Sequence, residues 1–337
     1  MRIVIDAMGS DTHPAPEVEG AVWAKREHPE IDIIMVGDKE RIKRELEKHG
    51  RSCPDCEIVH AEDFVTMDDK PSKVLRNKPD ASMAMAMRMV KEGRADAAVT
   101  VGNTGAALAY ALLKEFKRMP HVMRPAFPSV TSVGDRQFVM LDSGANSDCR
   151  PEWLFQFAVM GSAYAESVLG ATNPAVGLLS NGEEEGKGNN LVRTTENLLA
   201  QSDLNFIGNV EPRDILRIDV QVVVTDGFTG NLALKTFEAT GKLIVDMLNS
   251  ELKADWRAKI GALLAYPALR RVRKRLDPFE IGAAPLLGVN GLLLVGHGRS
   301  NGKAIKSAIN QARISASKDL LSVIRERMSS VETPKEQ

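Results

Sequence analysis

The chain has 337 residues, of which 43% are hydrophobic and 26% charged, and its formal net charge is −1. This is the profile of a soluble globular protein with room for a sizeable core or two sub-domains, and near-neutral charge argues against general nucleic-acid binding. No apolar run approaches the roughly 20 residues of a spanning helix, and the opening MRIVIDAMGSD lacks the apolar stretch of a signal peptide, so a cytoplasmic location is expected.

IVIDA reads as a first strand and leads through a glycine turn to a helical segment from about Pro16. DIIMVG, a charged helix from Lys39 to His49 and the strand EIVHA follow. Just before EIVHA, Cys53 and Cys56 form CPDC with His60 nearby. A structural zinc site takes four ligands and no second CxxC exists, so these and Cys149 are expected to be incidental thiols of a disulfide-free protein. DAAVTV, QFVMLD, AVGLLS and VQVVVTDG are further short apolar runs, most of them followed by helix-like sequence. Near-continuous apolar strands between helices indicate a mainly parallel sheet covered on both faces: an α/β fold, expected as a three-layer α/β/α sandwich.

Four of these strands run into small, polar, glycine-bearing loops: GNTGAA (102–107), SGANSD (143–148), NGEEEGKGNN (181–190) and FTGN ending at Asn231. In open α/β sheets ligands bind beyond the carboxyl ends of the strands, so the four loops are expected to converge on one site. In VGNTGAALAYALL, Asn103 or Thr104 can cap a helix, the layout of a phosphate or carboxylate cradle. Neither GxGxxG nor a Walker A loop is present, and no GxSxG elbow or protease-like cysteine supports a covalent nucleophile. The loops fit better a chemistry in which the substrate brings its own nucleophile, as inorganic phosphate does, and the enzyme supplies position and charge. GEEEGKGNN sets Lys187 between Gly186 and Gly188 after three consecutive glutamates, which on its own would be a solvated turn.

Between about Leu252 and Leu276 the character changes. Trp256, Ile260, Leu263 and Leu264 recur on one helix face, Tyr266 and Pro267 mark a tip, and Arg270, Arg271, Arg273, Lys274 and Arg275 follow. A tryptophan-edged apolar face with clustered cations suits an anionic membrane surface; packing against a partner subunit is the alternative.

DAMGSD, GNTGA, LDSGANSDC, MGSAYAE, GLLSNGEEEGKGN, NFIGNVEPRDI, DGFTGNLALKT, GAAPLLGVNG and GHGRSN, in this order, resemble the bacterial phosphate acyltransferases, the acyl-carrier-protein:phosphate transacylases of phospholipid synthesis. The resemblance runs from Met1 to about Ile314. It implies transfer of a long-chain acyl group from acyl carrier protein to inorganic phosphate, giving acyl phosphate. The implied fold is similar to those of the isocitrate/isopropylmalate dehydrogenases and phosphotransacetylases, in a homodimer, without cofactor or metal. Lys187 and Asn231 fall on the positions implied to carry catalysis: Lys187 at the phosphate, Asn231 donating to the developing oxyanion. His297 is a second candidate, near the leaving thiolate. Asp6, Gly9, Gly102, Asn103, Thr104, Gly105, Asp142, Asn146, Gly186 and Gly188 are expected to bind phosphate or substrate. Ser10 departs from the family's DAMGGD. Trp256, Ile260, Leu263, Leu264, Arg270, Arg271, Arg273 and Lys274 are expected to meet membrane or carrier protein. One α/β/α catalytic domain over residues 1–330 is expected, with a helical hairpin at about 232–280 and a flexible tail at 331–337.

Overall fold

Ile3 and Ile5 of the first strand enter one apolar cluster and Val4, between them, enters another. That division by parity marks a strand covered on both faces. The computed structural model describes residues 1–50, 56–133, 136–275 and 282–331. The chain begins β1 (Arg2–Asp6), α1 (Ala15–Glu27), β2 (Asp32–Gly37), α2 (Lys39–Lys48), β3 (Glu57–His60), α3 (Pro71–Asn77), α4 (Ser82–Lys91) and β4 (Ala97–Thr100). Next come α5 (Thr104–Tyr110), continued by a π-helical turn over Ala111–Glu115, then β5 (Ser129–Val133), β6 (Arg136–Leu141), α6 (Pro151–Ser167), β7 (Val176–Leu179) and α7 (Asn190–Ala200). β8 (Phe206–Val210), α8 (Pro212–Ile215), β9 (Val222–Val224), α9 (Gly227–Ala254) and α10 (Trp256–Arg275) follow. The chain closes with β10 (Ala283–Pro285), β11 (Leu293–Gly296), α11 (Gly302–Ser317) and α12 (Leu320–Ser330).

The expected mainly parallel α/β architecture is present, with the strands divided between two sheets. The first has the order β10-β11-β4-β1-β2-β3, the second β5-β6-β9-β7-β8. Among the pairs of named strands, only β10–β11 and β5–β6 are antiparallel, each at a sheet edge. The last two strands return to the first sheet beside β4, so loops from both ends of the chain meet at its centre. One apolar cluster runs through both sheets, joining Ile5 and Val99 of the first to Leu178 and Val222 of the second, with α1, α6 and α11 between. The outer faces carry separate clusters, one under α4 and α5, the other around Val223 and Ile215.

β5, β8, β10 and β11 are strands the apolar-run pattern does not mark. β8 is broken by Gly208 at φ +95° and by a register shift opposite β7, and β10 is the tripeptide AAP. Glycine, alanine and proline are poor strand formers, so these segments are held by their neighbours in the sheet rather than by local preference. The expected tip at Tyr266–Pro267 is corrected as well: α10 runs through Pro267, and the break between helices falls at Asp255. Asp255 has extended backbone and its Oδ1 accepts from Ala258 N at 2.8 Å, a side-chain cap that starts a new helix. Proline inside an exposed helix bends it without ending it. The side chains of Arg273 and Lys274, and residues 332–337 of the expected tail, lie outside the described residues. Cys56 is disulfide-bonded, against the expected disulfide-free chain, while Cys149 is free; Cys53 lies outside the described residues.

One buried carboxyl has a consequence for stability. Glu17 on α1 is fully buried and its Oε1 accepts from Ser10 N at 2.7 Å, so the departure at Ser10 sits directly over it. Burial raises its pKa from 4.5 to about 7. A carboxyl whose folded pKa is raised supplies stability that is complete below its unfolded pKa and is lost as pH rises through the folded one. Between about pH 4.5 and 7 the chain is therefore expected to lose about 3 kcal/mol through this group. Glu17→Gln, which keeps the acceptor, is expected to abolish that part of the fall; urea unfolding at pH 5 and pH 8 measures it.

Candidate active site

The site is built from strand ends. In the second sheet β6 ends at Leu141, and Asp142 turns back under its own loop. Four backbone N–H groups (Phe127, Gly144, Ala145 and Asn146) and the Asn146 amide donate to the Asp142 carboxylate at 2.7–3.2 Å. Burial pushes the Asp142 pKa up, and those donors oppose it by favouring the charged form. The carboxylate is thereby spent on shaping the loop, and the residue is 0% exposed.

α9 begins against this loop. The Asp226 carboxylate caps it, accepting from Thr229 N at 2.8 Å and from Thr229 Oγ1 at 2.7 Å. Gly227 and Gly230 then let the first turn touch the Asp142 loop directly: a Cβ on Gly230 would lie 2.0 Å from Asp142 O. The contact turns Asn231 toward Gly144, where a Cβ would lie 3.5 Å from Asn231 Nδ2.

β7 pairs with β9, so the loop after Leu179 opens beside the start of α9. This loop carries Lys187, exposed, with Gly186 at φ +80° and Gly188 at φ +91°. Both values favour glycine, which is why the lysine is flanked by bare backbone. Lys187 N donates to Glu184 O at 3.2 Å, and its aliphatic stem lies over Gly182. Among the described residues no carboxylate pairs with Lys187 Nζ. Glu183 pairs with Arg213 at 3.5 Å, and the three consecutive glutamates join no cluster able to hold a metal ion among the described residues.

In the first sheet the ends of β4 and β11 open a cleft of about 370 Å³ lined by Gly102, Asn103, Thr104, Gly105, His297 and Gly298, with Met67 at its rim. The Asn103 Oδ1 caps α5 on Ala106 N at 3.0 Å, while its Nδ2 holds the 66–69 loop through Asp69 O at 3.0 Å. Asp6 and Gly9 lie beneath this cleft rather than in its wall. Asp6 is 2% exposed, with Ser82 Oγ on Oδ1 at 2.6 Å and Thr100 Oγ1 on Oδ2 at 2.7 Å. Burial raises its pKa and the two hydroxyls oppose it. Gly9 packs on the backbone of Val101 and Gly102.

α9 joins the two halves. Its Glu238 pairs with Arg299 of the 297–301 loop at 3.3 Å. Desolvation in the cleft lowers the His297 pKa, Glu238 opposing and Arg299 and Lys235 reinforcing. Asn231, Lys235 and Glu238 follow the i, i+4, i+7 spacing of one helix face. Lys235, Glu238 and Arg299 were not among the expected site residues. The spacing of Lys235 from Asn231 within GNLALK is the signal that could have found it.

These strand-end loops and the helix that starts against them form the candidate site of a mainly parallel α/β fold. The fold is similar to that of a phosphotransacetylase from Streptococcus pyogenes, with a TM-score of 0.60 at 18% identity over 93% of this chain and 94% of the other. Residues 1–322 match the family of the fatty acid synthesis proteins, and the chain belongs to that family. It is 45% identical over 329 residues to the phosphate acyltransferase of Trichlorobacter lovleyi, covering 98% of this chain and 95% of that protein. It is also 45% identical over 329 residues to the phosphate acyltransferase of Pelobacter propionicus, covering 98% and 94%. With relatives of this kind over nearly its whole length, the chain is an enzyme of the phosphate acyltransferase type.

Proposed function

We propose that the enzyme transfers a long-chain acyl group from acyl carrier protein to inorganic phosphate, releasing acyl phosphate and the free thiol of the carrier. A phosphate oxygen attacks the thioester carbonyl carbon; a C–O bond forms, the C–S bond breaks, and the thiolate leaves and takes up a proton. The observation that carries this reading is Lys187: a cation with no ion pair among the described residues, on a glycine-flanked turn at the strand end next to the one that leads into Asn231. Lys187 offsets the charge of the phosphate as it approaches. Asn231 Nδ2 donates to the carbonyl oxygen as it becomes an oxyanion, and a His297 ring N–H donates toward the departing sulfur. The Asp142 loop and the GNTG turn hold these groups in place. Thiol release from palmitoyl-acyl carrier protein, followed with and without inorganic phosphate and compared with palmitoyl-CoA, tests it. Phosphate-dependent release that prefers the carrier supports the reading; release indifferent to phosphate makes the protein a thioesterase.

The same proposal treats the chain as one catalytic domain from which α9 and α10 project, active as a homodimer at an anionic bilayer. It is supported by the exposed apolar face of Trp256, Ile260, Leu263 and Leu264, the last 79% exposed, next to Arg270 and Arg271. No helix among the described residues is long and apolar enough to cross a membrane. Leu263→Ser with Leu264→Ser is expected to lower binding to anionic vesicles about tenfold or more, since each leucine contributes roughly 1.5–3 kcal/mol when buried. Flotation measures it, and unchanged binding assigns the face to the second copy.

A further inference from the structure

A cation flanked by two glycines has no intrinsic fixed place, because both neighbours add backbone freedom. Something outside the loop must hold it. Among the described residues no side chain of the three consecutive glutamates accepts from Gly186 N, but that of Glu196, two turns along α7, does. Its Oε2 accepts from Gly186 N at 3.2 Å, and its Oε1 accepts from Asn209 Nδ2 on β8 at 3.0 Å. The same Asn209 amide reaches Glu184 O at 3.5 Å. Among the described residues no lysine or arginine pairs with Glu196, so both of its oxygens serve N–H donors. One carboxylate thus ties the loop after β7 to α7 and to the next strand of the sheet.

We propose that Glu196 is a positioning residue for Lys187, holding the Gly186 peptide so that the lysine meets its anion in one geometry. The proposal rests on the reading of Lys187 as the cation at the phosphate. Asn209 adds a specific consequence. It is 5% exposed, and its Oδ1 has no hydrogen-bond partner among the described residues. A glutamine at position 196 could keep its oxygen on Gly186 N while its NH₂ meets that vacant Oδ1 after the Asn209 amide rotates. An alanine could do neither.

The test compares Glu196→Ala and Glu196→Gln, alone and with Lys187→Ala, in the full-length enzyme. Trypsin cleavage after Lys187 in the folded protein reads the tether directly. Phosphate-dependent thiol release from palmitoyl-acyl carrier protein reads its consequence. Glu196→Ala is expected to be cut several-fold faster and to lose about 10- to 100-fold in kcat, the scale of a small misplacement at a reacting centre, with KM for the acyl donor little changed. Glu196→Gln is expected to recover most of that loss. Adding Glu196→Ala to Lys187→Ala is expected to cost nothing further, because the two act as one unit. Unchanged cleavage and unchanged kcat in Glu196→Ala overturn the proposal, as does a loss that adds in full to that of Lys187→Ala. Full activity of Lys187→Ala overturns the reading of the lysine itself, and the cleavage rate then still decides whether Glu196 holds the turn.

Discussion

Lys187→Ala is expected to lower kcat/KM for phosphate-dependent thiol release by about 10²–10³-fold, the scale measured when one preorganised group opposite developing charge is removed. The protein should unfold at an unchanged denaturant midpoint, because the side chain is exposed and makes no ion pair among the described residues. The combination is diagnostic: a large kinetic effect without a stability effect places the residue at the chemistry. Lys187→Arg discriminates further. Arginine keeps the charge, but its planar fork on a longer stem replaces a compact ammonium on a turn fixed by Gly186 and Gly188. If charge alone matters, the arginine variant retains most of the activity; if the ammonium must enter a fixed geometry, it behaves like alanine. Loss of stability in step with activity would instead make Lys187 part of the loop's structure.

Gly230→Ala is expected to be the most damaging single methyl in the half of the molecule that carries Asn231. The added carbon would lie 2.0 Å from Asp142 O and 2.9 Å from Thr225 Cγ2. Neither backbone can yield: Asp142 N donates to Thr225 O at 2.8 Å and Thr225 N to Leu141 O at 2.6 Å, so both belong to the paired ends of β6 and β9. The start of α9 must move, and Asn231 with it. About 3 kcal/mol of stability is expected to be lost, at the upper end of ordinary overpacking. Activity should fall about 10²-fold even at temperatures where the variant remains folded. Gly241→Ala on the same helix is the control. Nothing lies within 4 Å of a Cβ there, and it should stabilise by roughly 0.5–1 kcal/mol. Urea unfolding with the thiol-release assay measures both variants.

How far these features could be read beforehand depended on where they sit. Strands such as DIIMVG carry valine and isoleucine on both faces, so their apolar runs announced them, and the polar glycine loops after β4, β6 and β7 stood out by contrast. β5, β8 and β10 lack that signature; AAP becomes a strand only because β11 lies beside it. The division into two sheets is a matter of which strands pair, and the apolar run of β11 says nothing of its place beside β4. Loop residues of the site were legible because glycine and asparagine after a strand have few other uses. Helix residues were not: Glu196, Lys235 and Glu238 occupy polar positions that any solvated helix face would fill. Asp6 and Asp142 were noticed for the right loops, yet their full sets of donors show what the motif cannot, that each carboxylate is used internally. Tyr266–Pro267 reads as a tip because proline is a conspicuous helix breaker, whereas the capping power of Asp255 shows only in the fold.

α9 has 28 residues and no internal break, which at 1.5 Å per residue makes a rod of about 42 Å. One end is seated by close contact of Gly230 with the Asp142 carbonyl, and the other stands clear with α10. Such a rod is both ruler and lever. On the proposed assignment of Asn231, it sets about 40 Å between that residue and the free end, and a tilt of about 5° at the seat would sweep the free end by roughly 4 Å. Because the seated end is packed this closely, that tilt is felt at Asn231.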